Sequence, residues 1–343
     1  DMMTLIVLRG IMAVGMGAEI IADFGSFPEY LPTATRGKYS SISAMIGNFS
    51  PPVASLVAFI LIPVFSWRAM FLVVGVATLL LWYVRLKTLP ESPRWLASQG
   101  LIDQADEALT KLEKQLAAEK GVVLPPIEHV EAPPKVKQVP LTALFKGQLL
   151  RRTIAISCGL IGLNTALYTI VNWIPTIFVN AGVTVSRSFA MTTLMLCGAP
   201  LGVYLISLIA DNLPRRSFAP LLLAGIGIFG YIYSLQRDPV MIVGFGFLMT
   251  VIIYMYVGLM NAVYVPEMFP TEARLRGTGF CSALGRLVSV FTPPAVAWIL
   301  TNYGAVTVFQ TVLVVLGLLA TGLAFFGIET RRKSLEEINK NVI

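Results

Sequence analysis

A set of short motifs occurs twice in this chain at one interval. Pro28-Glu29-Tyr30-Leu31-Pro32-Thr33-Ala34-Thr35-Arg36 is matched by Pro266-Glu267-Met268-Phe269-Pro270-Thr271-Glu272-Ala273-Arg274, and Glu91-Ser92-Pro93-Arg94 is matched by Glu329-Thr330-Arg331-Arg332 at the same offset. A third pair, Phe49-Ser50-Pro51-Pro52 and Phe291-Thr292-Pro293-Pro294, lies four residues out of register. Each motif flanks or interrupts a long apolar run. The chain therefore reads as a duplicated membrane unit, the arrangement from which many secondary transporters are built.

With 56% hydrophobic and 13% charged residues, the 343-residue chain carries more apolar surface than a soluble domain can hide. Several runs reach the ~20 residues that cross a bilayer. Helices are predicted over about 3–25, 38–63, 68–87, 153–179, 188–210, 217–235, 239–264, 276–301 and 305–327, nine in all. Lys and Arg collect in alternate connections: Arg36 and Lys38, the cluster from Arg85 to Arg152, Arg215 and Arg216, Arg274 and Arg276, and the tail from Arg331. The opposite connections hold only Arg68, Arg187 and Arg237, so the basic ones are predicted to be cytoplasmic. The net charge of +7 is thus a topology signal, and basic residues scattered over separate loops give no support to a nucleic-acid partner.

The second copy has far more chain ahead of Pro266 than the 27 residues that precede Pro28, so the first copy is expected to lack about three helices. The parent architecture is then twelve helices in two pseudo-symmetric bundles of six. Residues 1–96 are expected to hold the last three helices of the first bundle. Residues 97–152 form a cytoplasmic segment with an amphipathic helix over 103–120 and a Pro-rich linker, and residues 153–343 form the second bundle and a cytoplasmic tail.

The motifs resemble the major facilitator superfamily, and within it the sugar porters and related metabolite–proton symporters. Pro90-Glu91-Ser92-Pro93-Arg94-Trp95-Leu96 matches the sugar-porter signature after the sixth helix, and the segment from Ile328 to Glu337 resembles its carboxy-terminal counterpart. Asp211-Asn212-Leu213-Pro214-Arg215-Arg216 is similar to the superfamily's short turn after the eighth helix, with Pro214 where glycine is usual. The stretch from Trp173 to Asn180 and the tail resemble YdjE-type bacterial inner-membrane metabolite transporters. The resemblance covers essentially the whole chain and implies a major facilitator fold in an inner membrane. Two departures weaken a hexose substrate: Cys158 and Gly159 replace the two glutamines of the seventh helix, and Ala262 stands where sugar porters carry a tryptophan.

Two groups of residues are candidates for transport chemistry. Glu29, Arg36, Arg94, Asp211, Arg215, Arg216, Glu267, Arg274, Arg276 and Glu329 fall at predicted cytoplasmic helix ends, where the resemblance implies a gate; solvated charges that satisfy topology are the plainer reading of any one of them. Glu19 and Asp23 are four residues apart on one face of the first span, suited to proton coupling because two nearby carboxylates in a dry site raise each other's proton affinity. Arg286 lies inside a span and needs a partner, either an internal acid or an anionic substrate held bidentately. Asn164, Tyr168 and Asn172 recur every fourth residue, and Asn261 with Tyr254 and Tyr264 adds polar groups to another span, as substrate ligands or interhelical bonds. Arg9, Gly15 and Gly17 resemble an arginine-glycine pattern of the family's fourth helix and read as structural, the glycines allowing close helix contact.

Cys158, Cys197 and Cys281 have no metal-ligand spacing and are expected as buried, reduced thiols. No metal or cofactor is expected. His129, the one histidine, falls in a predicted loop, so no histidine proton relay is available within this chain. There is no HExxH, GxSxG or GxxxxGK[ST], which argues against a membrane protease, a serine hydrolase and ATP-driven transport by this chain. The expected function is secondary transport of a small polar metabolite, an organic acid, sugar acid or sugar, coupled to protons by alternating access. A metabolite or drug exporter and a transporter-derived nutrient sensor are the alternatives.

Overall fold

The computed structural model describes residues 2–26, 42–43, 45–88, 96, 100–120, 140–180 and 182–331; the side chains of 17–26, 112, 115–120, 211, 271 and 272 lie outside that description. The described residues are overwhelmingly helical: α1 (Met2–Ser26), α2 (Ser50–Phe65), α3 (Arg68–Thr88), α4 (Ile102–Lys120), α5 (Gly147–Ala166), α6 (Ile174–Asn180), α7 (Val185–Leu196), α8 (Gly198–Ile209), α9 (Arg215–Ser234), α10 (Pro239–Gly258), α11 (Val265–Met268), α12 (Thr271–Tyr303) and α13 (Ala305–Phe326). Several run on into one another, giving eight spans long and apolar enough to cross a membrane; with the 25-residue α1 they match the nine expected. The protein is an all-α, multi-pass membrane protein. The predicted amphipathic segment is the helix α4. The Pro-rich linker and Pro28 lie outside the described residues.

The chain divides into two compact units, residues 1–42 with 71–134, and residues 43–70 with 135–343. In the first, α1 as far as Met16 and α3 from Phe71 onward expose apolar side chains all round, Leu8, Ile11, Leu79 and Leu81 among them. A helix apolar on every side is suited to hydrocarbon surroundings. The ends of α3 carry amphipathic anchors: the Arg68 guanidinium lies 4.6 Å from the Trp67 ring centre and Lys87 Nζ 4.4 Å from that of Tyr83. Such pairs belong at the two interfaces of a bilayer, where rings and cationic heads are both solvated.

In the second unit α9 packs along α13, α8 along α10, and α5 against both α12 and α13, while α2 packs on α7 and the Ser55 hydroxyl donates to Phe189 O at 3.1 Å. The α8–α10 contact depends on small residues. A Cβ at Gly198 would sit 2.8 Å from Phe247 O, and one at Gly202 would run into Val251 O. This small-xxx-small spacing lets the two backbones touch, which supplies dispersion where lipid removes the hydrophobic drive between helices. Turn chemistry sets the ends: Asp238 caps α10, its carboxylate accepting from the amides of Val240 (2.8 Å) and Met241 (3.1 Å), and Gly304 at φ 83° links α12 to α13.

α5 starts at Gly147, earlier than the predicted 153, so Arg151 and Arg152 belong to its first turns. Their charges are accommodated by helix-end carbonyls: Arg151 donates to Phe326 O and Phe325 O, both at 3.2 Å, and Arg152 to Met268 O at 2.9 Å. The thiols also depart from expectation. Cys281 is buried, with the Ser157 hydroxyl 3.5 Å from its sulfur, but Cys158 is partly buried and Cys197 exposed, because the α7–α8 span turns that edge outward.

Candidate functional site

At one end of the second unit, charged side chains from distant parts of the sequence converge. Arg215 opens α9 and is almost fully buried; its Nε lies 3.5 Å from Glu267 Oε2 and its Nη2 3.5 Å from Glu267 Oε1. The Thr330 hydroxyl donates to the same Oε2 at 2.6 Å. Glu329 accepts three backbone amides, from Arg215 (3.1 Å) and Arg331 (2.9 Å) at Oε1 and from Arg216 (3.3 Å) at Oε2. The α9 N-cap is Pro214, which supplies no side-chain cap, so Glu329 caps that helix from outside. Its negative charge also complements the positive end of the α9 dipole. Nearby, the Tyr264 hydroxyl donates to Ile328 O at 2.9 Å and pins the segment that follows α13 to the end of the α10–α11 span.

Four of the proposed gate residues, Arg215, Arg216, Glu267 and Glu329, are thus brought together. Arg274 is apart from them, with its Nε 3.4 Å from Phe269 O, and Arg276, two residues further along α12, is half-buried. Asp211 lies in the short Ala210–Asn212 turn, with its side chain outside the described set. Glu29, Arg36 and Arg94 lie outside the described residues. Sequence reading missed Thr330 and Arg152. Thr330 sits inside a motif already singled out, whereas Arg152 was assigned to the linker because it precedes the apolar run.

The substrate candidates are placed by two irregular helix segments. Between α5 and α6, Leu167–Val171 forms a π-helical turn, closed by Asn172 N–H donating to Leu167 O at 3.2 Å. Between α10 and α11, Leu259–Tyr264 forms another, with the Val265 amide reaching back to Met260 O. The first of these interrupts the regular α-helical ladder between Asn164 and Asn172. Asn164 and Tyr168 are half-buried and Asn172 is exposed. Asn164 Nδ2 donates to Leu160 O at 2.8 Å, and a Cβ added to Gly285 of α12 would stand 2.9 Å from that nitrogen. Asn164 thus packs directly on α12, and the next residue there is Arg286.

Arg286 is exposed and makes no ion pair among the described residues. Asn261 lies in the second π segment and is exposed, while the buried Tyr256 hydroxyl donates to Gly159 O at 3.1 Å and bridges the α10 and α5 spans near Asn164. Glu19, Asp23 and Gly17 lie on α1 with side chains outside the described set; Arg9 is exposed. Among the described residues nothing comes within 4 Å of a Cβ at Gly15, so the close helix contact expected there is not formed by them. No group of three or more potential metal ligands occurs among the described residues.

Comparison with known proteins assigns the lineage. The family model for sugar (and other) transporters matches residues 1–342. The inner membrane metabolite transport protein YdjE of Escherichia coli is 46% identical over 342 residues, covering 99% of this chain and 76% of that protein. The niacin transporter NiaP of Acinetobacter baylyi is 27% identical over 340 residues, covering 97% of this chain and 75% of its own. Among solved structures, the E. coli xylose transporter XylE superposes with a TM-score of 0.63 at 18% identity, over 90% of this chain and 67% of XylE. The chain belongs to the sugar (and other) transporter family, transporters rather than enzymes, and has the major facilitator fold.

Proposed function

We propose that this transporter moves a small organic acid together with a proton, by alternating access of two helix bundles in a bacterial inner membrane. Arg286 carries the reading. It lies about 20 Å along the helix from Ala273, where its 31-residue span begins. An intramembrane guanidinium is costly unless it serves a partner, and a carboxylate offers the planar bidentate match it makes best. Its neighbour Gly285 touches Asn164, so an uncharged amide lies against the turn of α12 that carries the cation. The relative NiaP is named for niacin, an aromatic carboxylate, in keeping with an acid as cargo.

The π segments interrupt the regular α-helical ladder of the α5–α6 and α10–α11 spans and give them places to bend. The Arg215–Glu267–Thr330–Glu329 cluster serves as the gate's fixed half, with Glu29, Arg36 and Arg94 as its counterpart in the first copy. The excess of Lys and Arg in those connections supports a cytoplasmic position for this end, the central segment and the tail. Glu19 and Asp23 supply the proton site. Bundle boundaries follow the sequence division at 1–96, 97–152 and 153–343.

The test is uptake of labelled organic acids, sugar acids and sugars by vesicles holding the protein, with and without an inward proton gradient. Gradient-driven accumulation of an acid supports the proposal. Preference for neutral sugars refutes the substrate class, and transport that ignores the gradient or runs outward refutes symport.

A further inference from the structure

A cleft of ≈ 220 Å³ opens between α5, α12 and α13, lined among others by Thr165, Thr169, Phe291, Thr292, Val308 and Thr311. Val288, Thr292, Ala295 and Ile299 recur at helical spacing on the face of α12 turned away from Arg286. No charged side chain lines it, so a charged occupant would lose its hydration without compensation.

The polar groups in the cleft are threonine hydroxyls in different states. Thr292 donates to Val288 O at 2.9 Å and Thr311 to Thr307 O at 2.9 Å, so both have spent their protons and keep oxygen lone pairs free to accept. Thr165 differs: it is 8% exposed, its hydroxyl is buried, and that hydroxyl has no hydrogen-bond partner. A buried hydroxyl left without a partner costs about 1–3 kcal/mol, a cost an occupant of the cleft would remove once the Thr165 side chain rotates its hydroxyl towards it. The complementary ligand donates one hydrogen bond, accepts another, and is otherwise apolar. A hydroxyl group does both; a ketone or a hydrocarbon does not. Size narrows it further, because an apolar cavity of about 150 Å³ holds benzene, and this cleft is larger by about the bulk of a few substituent atoms.

We propose that the cleft is a second binding site, for an uncharged ring-sized phenol or alcohol whose hydroxyl pairs with Thr165 while its ring lies against Phe291 and Val308. The site is built on α5 beside Asn164 and on the back of the helix that carries Arg286.

The experiment titrates 4-fluorophenol, uncharged at neutral pH, against the purified protein in lipid nanodiscs, read by fluorine NMR with empty nanodiscs as the partition control. Saturable binding above that control is expected. Thr165→Val, which keeps the shape and removes the hydroxyl, should weaken it about fivefold, the worth of roughly one neutral hydrogen bond. Ala295→Phe, which fills the cleft, should abolish it, and excess niacin should not displace the probe. Binding no greater than to empty nanodiscs, unchanged affinity in Thr165→Val, or displacement by niacin would each overturn the proposal. Should Ala295→Phe fail to fold, the near-isosteric Thr165→Val decides alone.

Discussion

Glu329 is the residue whose removal tests the end cluster most cleanly. Its carboxylate holds three amides, two of them the first N–H groups of α9, a helix whose Pro214 N-cap offers no side-chain cap of its own. Loss of a capping acceptor costs about 0.5–2 kcal/mol, and loss of a negative charge at a helix N-terminus about 0.3–1 kcal/mol more. Glu329→Ala should therefore destabilise the second unit by about 1–3 kcal/mol. For a unit of this size each kcal/mol moves the melting temperature by about 2–4 °C, so a drop of roughly 2–12 °C is expected. Glu329→Gln should fall between the two, because one amide oxygen can still accept while the amide nitrogen faces donors it cannot satisfy. The assay is a thermal ramp with a thiol-reactive dye in a Cys158→Ser, Cys197→Ser background, in which buried Cys281 reports opening of the α5–α12 contact. A Glu329→Ala protein that melts within 1 °C of wild type would refute the reasoning and reduce the cap to a surface contact.

Two further outcomes follow from the packing and the acids. Gly202→Leu should prevent stable folding, because its side chain would have to occupy the place of Val251 O on α10; normal yield and an unchanged melting temperature would contradict the close approach. Glu19→Gln should preserve counterflow exchange while reducing uphill uptake at least severalfold, since an amide can bond substrate but cannot release a proton; equal loss of both activities would remove Glu19 from the coupling step.

The architecture was legible because hydropathy and the repeated motifs act over tens of residues. Every predicted span has its helix, and errors are confined to ends: α5 begins earlier because Arg151 and Arg152 reach carbonyls on α13 and α11 that are remote in sequence. Local geometry was less legible. Nothing in Leu167–Val171 or Leu259–Tyr264 announces a π turn, since apolar residues satisfy either helix equally well and tertiary packing selects between them. The end cluster was half visible. The motifs gave Glu267, Glu329 and Arg215, but not that Thr330 would share Glu267 or that Glu329 would cap α9 across more than a hundred residues. Threonine is too common in such helices to be singled out, which is also why the Thr165 cleft has no signature in the sequence.

The central claim, proton-driven transport of an anion held by Arg286, is tested most directly by organic-acid uptake in vesicles holding wild type or Arg286→Lys. With an inward proton gradient, wild type should accumulate acids such as niacin, and a protonophore should abolish accumulation. Arg286→Lys keeps the charge but loses the planar fork, so its KM should rise roughly ten- to a hundredfold, near the worth of one charge-assisted hydrogen bond. Wild-type KM in the variant, or accumulation indifferent to the protonophore, would contradict the account.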